Sequence, residues 1–367
     1  MAMSVFSEDY QQARQAFLSA AKASGGALES FKHNLSCPKG LPLFTDVLWL
    51  GKDDAKTVLL MLSATHGVEG FSGSAAQIDF LNTYSCGGLT LPSDVAVLLI
   101  HALNPHGFAW LRRVDEAGID LNRNYVDFSK SLPINAGYAQ LANVLVPCSL
   151  DAATLQTCET KLQAYKDSFG EVAYEKALSA GQYAFPEGLF YGGQAPCWSR
   201  LLCEQMIEKF SFKQRVCVAV IDFHTGLGPF GYGEPICEHL PNTQGNALAR
   251  LWYGDSLTEP ALGTSTSVAK TGLSDDGWIT MLGDKLVFIA LEFGTYDFEN
   301  MKQVLRADHW LHAQGKVDWQ DPVTQTIKAN IRSHFYPATS DWEEMVLIRS
   351  RECIQQAIAG ISAVTHN

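Results

Sequence analysis

The chain has 367 residues, 47% of them hydrophobic and 18% charged, which is ample material for a large buried core and excludes a disordered chain. A formal net charge of −12 with scattered basic residues excludes a nucleic-acid backbone as the natural partner, while leaving room for a local basic pocket that takes a small anion. Nine cysteines at irregular spacings, with no Cys-x-x-Cys, suit reduced core thiols in the cytoplasm better than a disulfide framework.

The opening segment, MAMSVFSEDYQQARQAFLSAAKA, has no basic stretch followed by an apolar one. It reads as an amphipathic helix with Tyr10 and Phe17 on its apolar side. No apolar run reaches the roughly 18 residues that mark a membrane span, so no membrane partner is expected. The first strand signal is TVLLMLSATHG (57–67), a continuous apolar run that ends with His66 and, three residues on, Glu69. SGSAAQIDFLNTY (72–84) then supplies a helical pattern with Ala75, Ile78, Phe80 and Leu81 on one side. A second run, VAVLLIHALNPHG (95–107), ends at Asn104-Pro105 and leads into a segment with Arg112, Arg113 and Arg123, the last flanked by Asn122 and Asn124.

Between about residues 130 and 215 the pattern turns helical and moderately polar, with an aromatic, glycine-rich loop, GLFYGGQAPCWS (188–199). This stretch reads as an insertion in one catalytic domain spanning 1–367, because the next strand carries residues the same site would use. That strand signal is VCVAVIDFHTG (216–226), ending in Asp222 and His224; KLVFIALEFGT (285–295) follows and ends in Glu292. From about residue 300 the chain reads as helical, with Pro322 and Pro337 as breaks. Continuous apolar runs alternating with helical patterns indicate an α/β fold with a largely parallel central sheet, whose ligands bind beyond the carboxyl ends of the strands.

Three of the four runs therefore end in titratable residues where such a fold builds sites. His66 and Glu69 at i and i+3 can face one ion, and His224 is the natural third ligand. Alone, the His-x-x-Glu spacing is close to chance; an isolated histidine is more often a core residue bonded to a carbonyl. Asp222 can accept the second ring N–H of a ligand histidine. Glu292, after an apolar run, is costly to bury unpaired and can serve as a general base. The arginines can capture a carboxylate or stabilise an oxyanion. His309 and His312, in HWLH on a predicted helix, suit a structural role. GFSGS (70–74) lacks the Gly-x-Ser-x-Gly spacing of a serine hydrolase.

In the order HGVEG, NPHG with GIDLNRNY, DFHTG and ALEFGT, over residues 60 to 295, the sequence resembles the zinc carboxypeptidases of the carboxypeptidase A type and their deacylase relatives, succinylglutamate desuccinylase and aspartoacylase. GLFYGGQAPCWS and HTGLGPFGYGE resemble a bacterial branch of that superfamily known mainly as a domain of unknown function. The resemblance implies a three-layer α/β/α fold with a mixed, largely parallel sheet, of the phosphorylase/hydrolase-like kind. It implies one zinc ion on His66, Glu69 and His224, with Glu292 as general base. Asn122 and Arg123 would bind the substrate carboxylate, and Arg113 or Arg112 would polarise the scissile carbonyl. Tyr232 is the nearest counterpart of a substrate-covering tyrosine. The expected activity is hydrolysis of an amide bond next to a carboxylate-bearing residue. The substrate would be a small peptide, as for a carboxypeptidase, or an N-acyl amino acid, as for a deacylase. A non-catalytic ligand-binding member is the remaining alternative, and an oligomer is not indicated.

Overall fold

The computed structural model describes residues 4–365. Seven strands form one sheet: β1 (Ala27–Ser36), β2 (Pro42–Leu50), β3 (Thr57–Leu62), β4 (Val95–His101), β5 (Cys217–Thr225), β6 (Gly233–Ile236) and β7 (Leu286–Phe293). Their order is β1-β2-β4-β3-β5-β7-β6. The inner strands β4, β3, β5 and β7 are mutually parallel, whereas β2 and β6 run against their neighbours. The four apolar runs are these four parallel strands. Side chains on β3 and β4 are buried throughout, as expected for strands covered on both faces.

Alternation along the strands divides the core. Leu59 and Met61 of β3, Val97 and Leu99 of β4, and Ala219 and Ile221 of β5 join Tyr10, Phe17, Phe71 and Trp342 on one side. Leu60, Leu98, Val220 and Phe288 join Cys203, Met206 and Trp278 on the other. The first layer is made by helices Tyr10–Ser24, Gly70–Ser85, Gln244–Tyr253 and Ser340–Val364, the second by Trp198–Lys209 and Ser274–Leu282. The fold is thus three-layered, with helices on both faces of a mixed sheet.

The 136–179 helices pack through Tyr138, Leu141, Leu162 and Leu178 against Met301, Leu305 and Phe335 of two later helices, Phe298–Ala313 and Pro322–Phe335. Pro322 occupies the first turn of its helix, where a missing N–H costs nothing. The nine cysteines are unpaired, seven of them buried. No helix among the described residues is long and apolar enough to cross a membrane.

Candidate metal centre and pocket

The site is built where β3 and β4 end. Ala64 and Ala102 both take left-handed conformations, with φ of 59° and 58°, each at a cost of about 1–3 kcal/mol for a non-glycine residue. The two turns lock together, with Leu103 N donating to Ser63 O (2.9 Å) and Asn104 N to Ala64 O (3.0 Å). His66 follows, then a single 3-10 turn, Gly67–Glu69. A Cβ on Gly67 would lie 2.0 Å from the carbonyl carbon of Gly107 and 2.3 Å from Phe108 N. The HGVEG and NPHG motifs therefore touch backbone to backbone, which only glycine permits. The third donor comes from β5. His224 stands beside Glu292 in the β5–β7 register, on the same face of the sheet.

His66 Nδ1 lies 3.0 Å from Glu69 Oε1 and 3.1 Å from His224 Nδ1, and His224 Nδ1 lies 3.3 Å from Glu69 Oε2. A tetrahedral zinc with bonds of about 2.0–2.2 Å holds its ligand atoms roughly 3.4 Å apart, so these three fit one ion after a small outward adjustment. The far side of each ring supports that use. His66 Nε2 is 3.1 Å from Asp120 Oδ1. His224 Nε2 is 3.0 Å from Asp222 Oδ2 but out of hydrogen-bond alignment, leaving both buried atoms without a bonded partner. Thr65 Oγ1 holds the other Asp222 oxygen at 2.7 Å. A carboxylate behind each imidazole suits a proton on Nε2, with the lone pair of Nδ1 then facing the centre.

Burial works against charge here, but partners win. His66 and Arg113 hold the Glu69 carboxyl well below the usual range despite its burial. Arg113 donates to Glu69 Oε1 (2.7 Å) and Asp120 Oδ2 (3.0 Å), and its Nη2 lies 2.8 Å from His66 Nε2. Three of its five N–H groups are thus directed at Asp120, Glu69 and His66, and two remain. Burial, and then the Glu69 charge, pushes the Glu292 carboxyl up to about 7. Its Oε1 accepts from Leu227 N at 3.0 Å.

Glu292, Arg113, Asn122 and Arg123 line one pocket with His66 and His224. Asn122 Oδ1 accepts from Ser274 N (2.7 Å), leaving its NH2 group for the cavity. Arg123 is buried, and its Nε and Nη2 both donate to Ser179 O (3.2 and 2.8 Å). Two expected residues lie elsewhere. Arg112 is turned into the protein, where its Nε donates to Asp308 Oδ2 at 3.0 Å, and it does not line the pocket. The crowded Arg112–Arg113 pair thus splits, one facing the site and one the interior. Tyr232 is 46% exposed and also stands outside the pocket, on a turn where Gly231 N donates to Gly294 O and Gly294 N to Tyr232 O. His309 and His312 serve the interior, bonding Glu187 O and Lys328.

Sequence reasoning missed several pocket residues. Glu175, Ser179 and Phe190 come from the 130–215 stretch, and Glu238, Lys270 and Asp275 from the segment between β6 and β7. Asp120 was present in GIDLNRN, and its acidic character beside Asn122 and Arg123 was the available signal.

A family model described as "Protein of unknown function (DUF2817)" matches residues 6–349. The chain belongs to this family. No curated protein matches this DUF2817 chain. Among solved structures, bovine thrombin-activatable fibrinolysis inhibitor, in complex with tick carboxypeptidase inhibitor, is similar at 13% identity over 95% of this chain and 97% of that one, with a TM-score of 0.45. Carboxypeptidase A from Helicoverpa armigera is similar at 12% identity over 94% and 73%, with a TM-score of 0.47. A protein from Shewanella amazonensis SB2B assigned to the succinylglutamate desuccinylase/aspartoacylase family is similar at 17% identity over 84% and 71%, with a TM-score of 0.34.

Proposed function

We propose that this DUF2817 protein is a zinc-dependent hydrolase that cleaves an amide bond next to a carboxylate-bearing residue, with the whole chain as one catalytic unit. The observation that carries this reading is the convergence of His66, Glu69 and His224 at one point, with Glu292 beside His224 in a pocket that also holds Arg123. Two imidazoles and a carboxylate are a donor set for zinc, which when bound supplies Lewis acidity and lowers the pKa of water to about 7.

The protein's own residues account for the rest. Glu292, with its carboxyl pushed up to about 7, takes the proton of the attacking water and returns it to the departing nitrogen. A free N–H of Arg113 supports the oxyanion of the scissile carbonyl. Asn122 and Arg123 hold a substrate carboxylate and so set which bond meets the water.

A carboxypeptidase and an N-acyl amino acid deacylase share this chemistry. Glu175, Ser179 and Phe190 of the 130–215 stretch line the pocket, and walls contributed by such a stretch narrow a cleft in favour of short substrates. Zinc-loaded protein assayed against short blocked peptides and N-acyl amino acids tests the proposal. Metal-dependent release from either panel supports it and selects the class. Absence of turnover on both, with zinc bound, favours a non-catalytic binding protein.

A further inference from the structure

β6 carries a buried carboxylate, Glu234, directly opposite Glu292 in the β6–β7 register. All of its bonded side-chain partners belong to one later loop. Glu234 Oε1 accepts from Thr258 Oγ1 (2.6 Å), Ser265 Oγ (2.8 Å) and Thr266 N (3.1 Å), and Oε2 accepts from Thr266 Oγ1 (2.5 Å). A carboxylate satisfied four times by one loop fixes it against β6, the neighbour of the strand that bears the proposed base. The next residues of that loop, Ser267, Val268 and Lys270, line the pocket.

Lys270 is therefore held in place. Its Nζ donates to Ser267 Oγ and to Val268 O (3.2 Å), both uncharged, and no acidic side chain of the described residues forms an ion pair with it. One of its three N–H groups remains. Arg123 is in the same state. Its bonds go to the carbonyls of Ser179 and Asn122 and use three of its five N–H groups. Two cations from different walls thus share a pocket without a carboxylate on either. The two spare N–H groups of Arg123 match the two oxygens of one carboxylate, which leaves Lys270 for another.

We propose that Lys270 is a substrate-binding residue, and that with Arg123 it makes the pocket a receptor for a molecule bearing two carboxylates. The proposal rests on the reading of Arg123 as the carboxylate-binding residue. Of the pocket's carboxyls, burial holds Asp275 well above the usual carboxylate range and pushes Glu238 up to about 6, so both carry less negative charge than exposed carboxyls would. Burial and the charge of Arg123 also press Lys270 down to about 8, a penalty that a second anion relieves.

Calorimetric titration with glutarate and with valerate, its monocarboxylate analogue of equal length, tests this. Wild-type protein should bind glutarate about tenfold or more tightly than valerate, the scale of one charge-assisted hydrogen bond. Lys270→Met should bring the ratio to about one, and Lys270→Arg should keep it. Equal binding by the wild type, or a glutarate preference that survives in Lys270→Met, overturns the proposal. Zinc content is measured on the same samples. Protein that takes up no zinc yet prefers glutarate refutes the hydrolase reading and supports this one, whereas zinc-loaded protein without the preference refutes this one alone.

Discussion

His224 and Glu292 are register partners on neighbouring parallel strands, so the spacing between a proposed metal ligand and the proposed base is set by sheet hydrogen bonds rather than by a loop. Such a spacing is rigid, and a change at one side chain should leave the other where it is. Glu292→Gln removes the proton acceptor while keeping size and the bond from Leu227 N. It should retain about one zinc per chain while kcat falls by about 10²–10⁴. Metal analysis beside steady-state kinetics checks this, and near-normal kcat would remove Glu292 from the role of base.

The carboxylates behind the imidazoles make a second prediction. Asp222 is fixed by Thr65 and faces Nε2 of His224, so Asp222→Asn leaves the ligand in place but weakens its orientation. Zinc affinity, measured by competition with a chromogenic chelator, should fall about 10- to 100-fold. His224→Ala should abolish stoichiometric uptake. Equal zinc affinity in wild type and His224→Ala would mean that the ion, if any, sits elsewhere.

What could be read from the sequence follows from burial. The parallel strands were legible because strands covered on both faces must be continuously apolar, and their polar ends marked the site. Edge strands carry no such signal: β1 is mostly exposed, and β6 has only four residues. His66, Glu69, His224 and Glu292 were legible because each directly follows or ends an apolar run. Lys270 and Glu238 were not, since they lie on connecting segments whose path depends on tertiary bonds such as those of Glu234. Nor could adjacency in sequence say that Arg112 and Arg113 point opposite ways.

That split is testable. Asp308 receives Arg112 at 3.0 Å and Lys328 on its other oxygen, all in the interior. Arg112→Met should destabilise the protein by about 1.5–3 kcal/mol by removing a buried charge-assisted hydrogen bond, with Lys328 still on Asp308, while leaving KM for any substrate of the folded protein unchanged. Arg113→Met should lower kcat, because it removes the only one of the two guanidinium groups that lines the pocket. Urea unfolding and kinetics on both variants separate the roles. A KM change confined to Arg112→Met would reverse the assignment.

Gly67 offers the strictest test of how the site is assembled. Its missing Cβ lets the turn between the two proposed metal ligands rest on the Gly107 backbone, and neither backbone has a flexible end that could yield. Gly67→Ala must therefore shift His66 or Glu69, or part the β3 and β4 turns. It should cost about 1–3 kcal/mol or more of stability, as overpacking does, and weaken zinc binding as well. Gly25→Ala is the control. Gly25 ends the first helix with φ of 73° and meets nothing within 4 Å, so its substitution carries only the left-handed backbone cost of about 1 kcal/mol. Zinc affinity should then be normal in Gly25→Ala and reduced in Gly67→Ala. Equal zinc affinity in the two would show that the turn can move without disturbing its ligands.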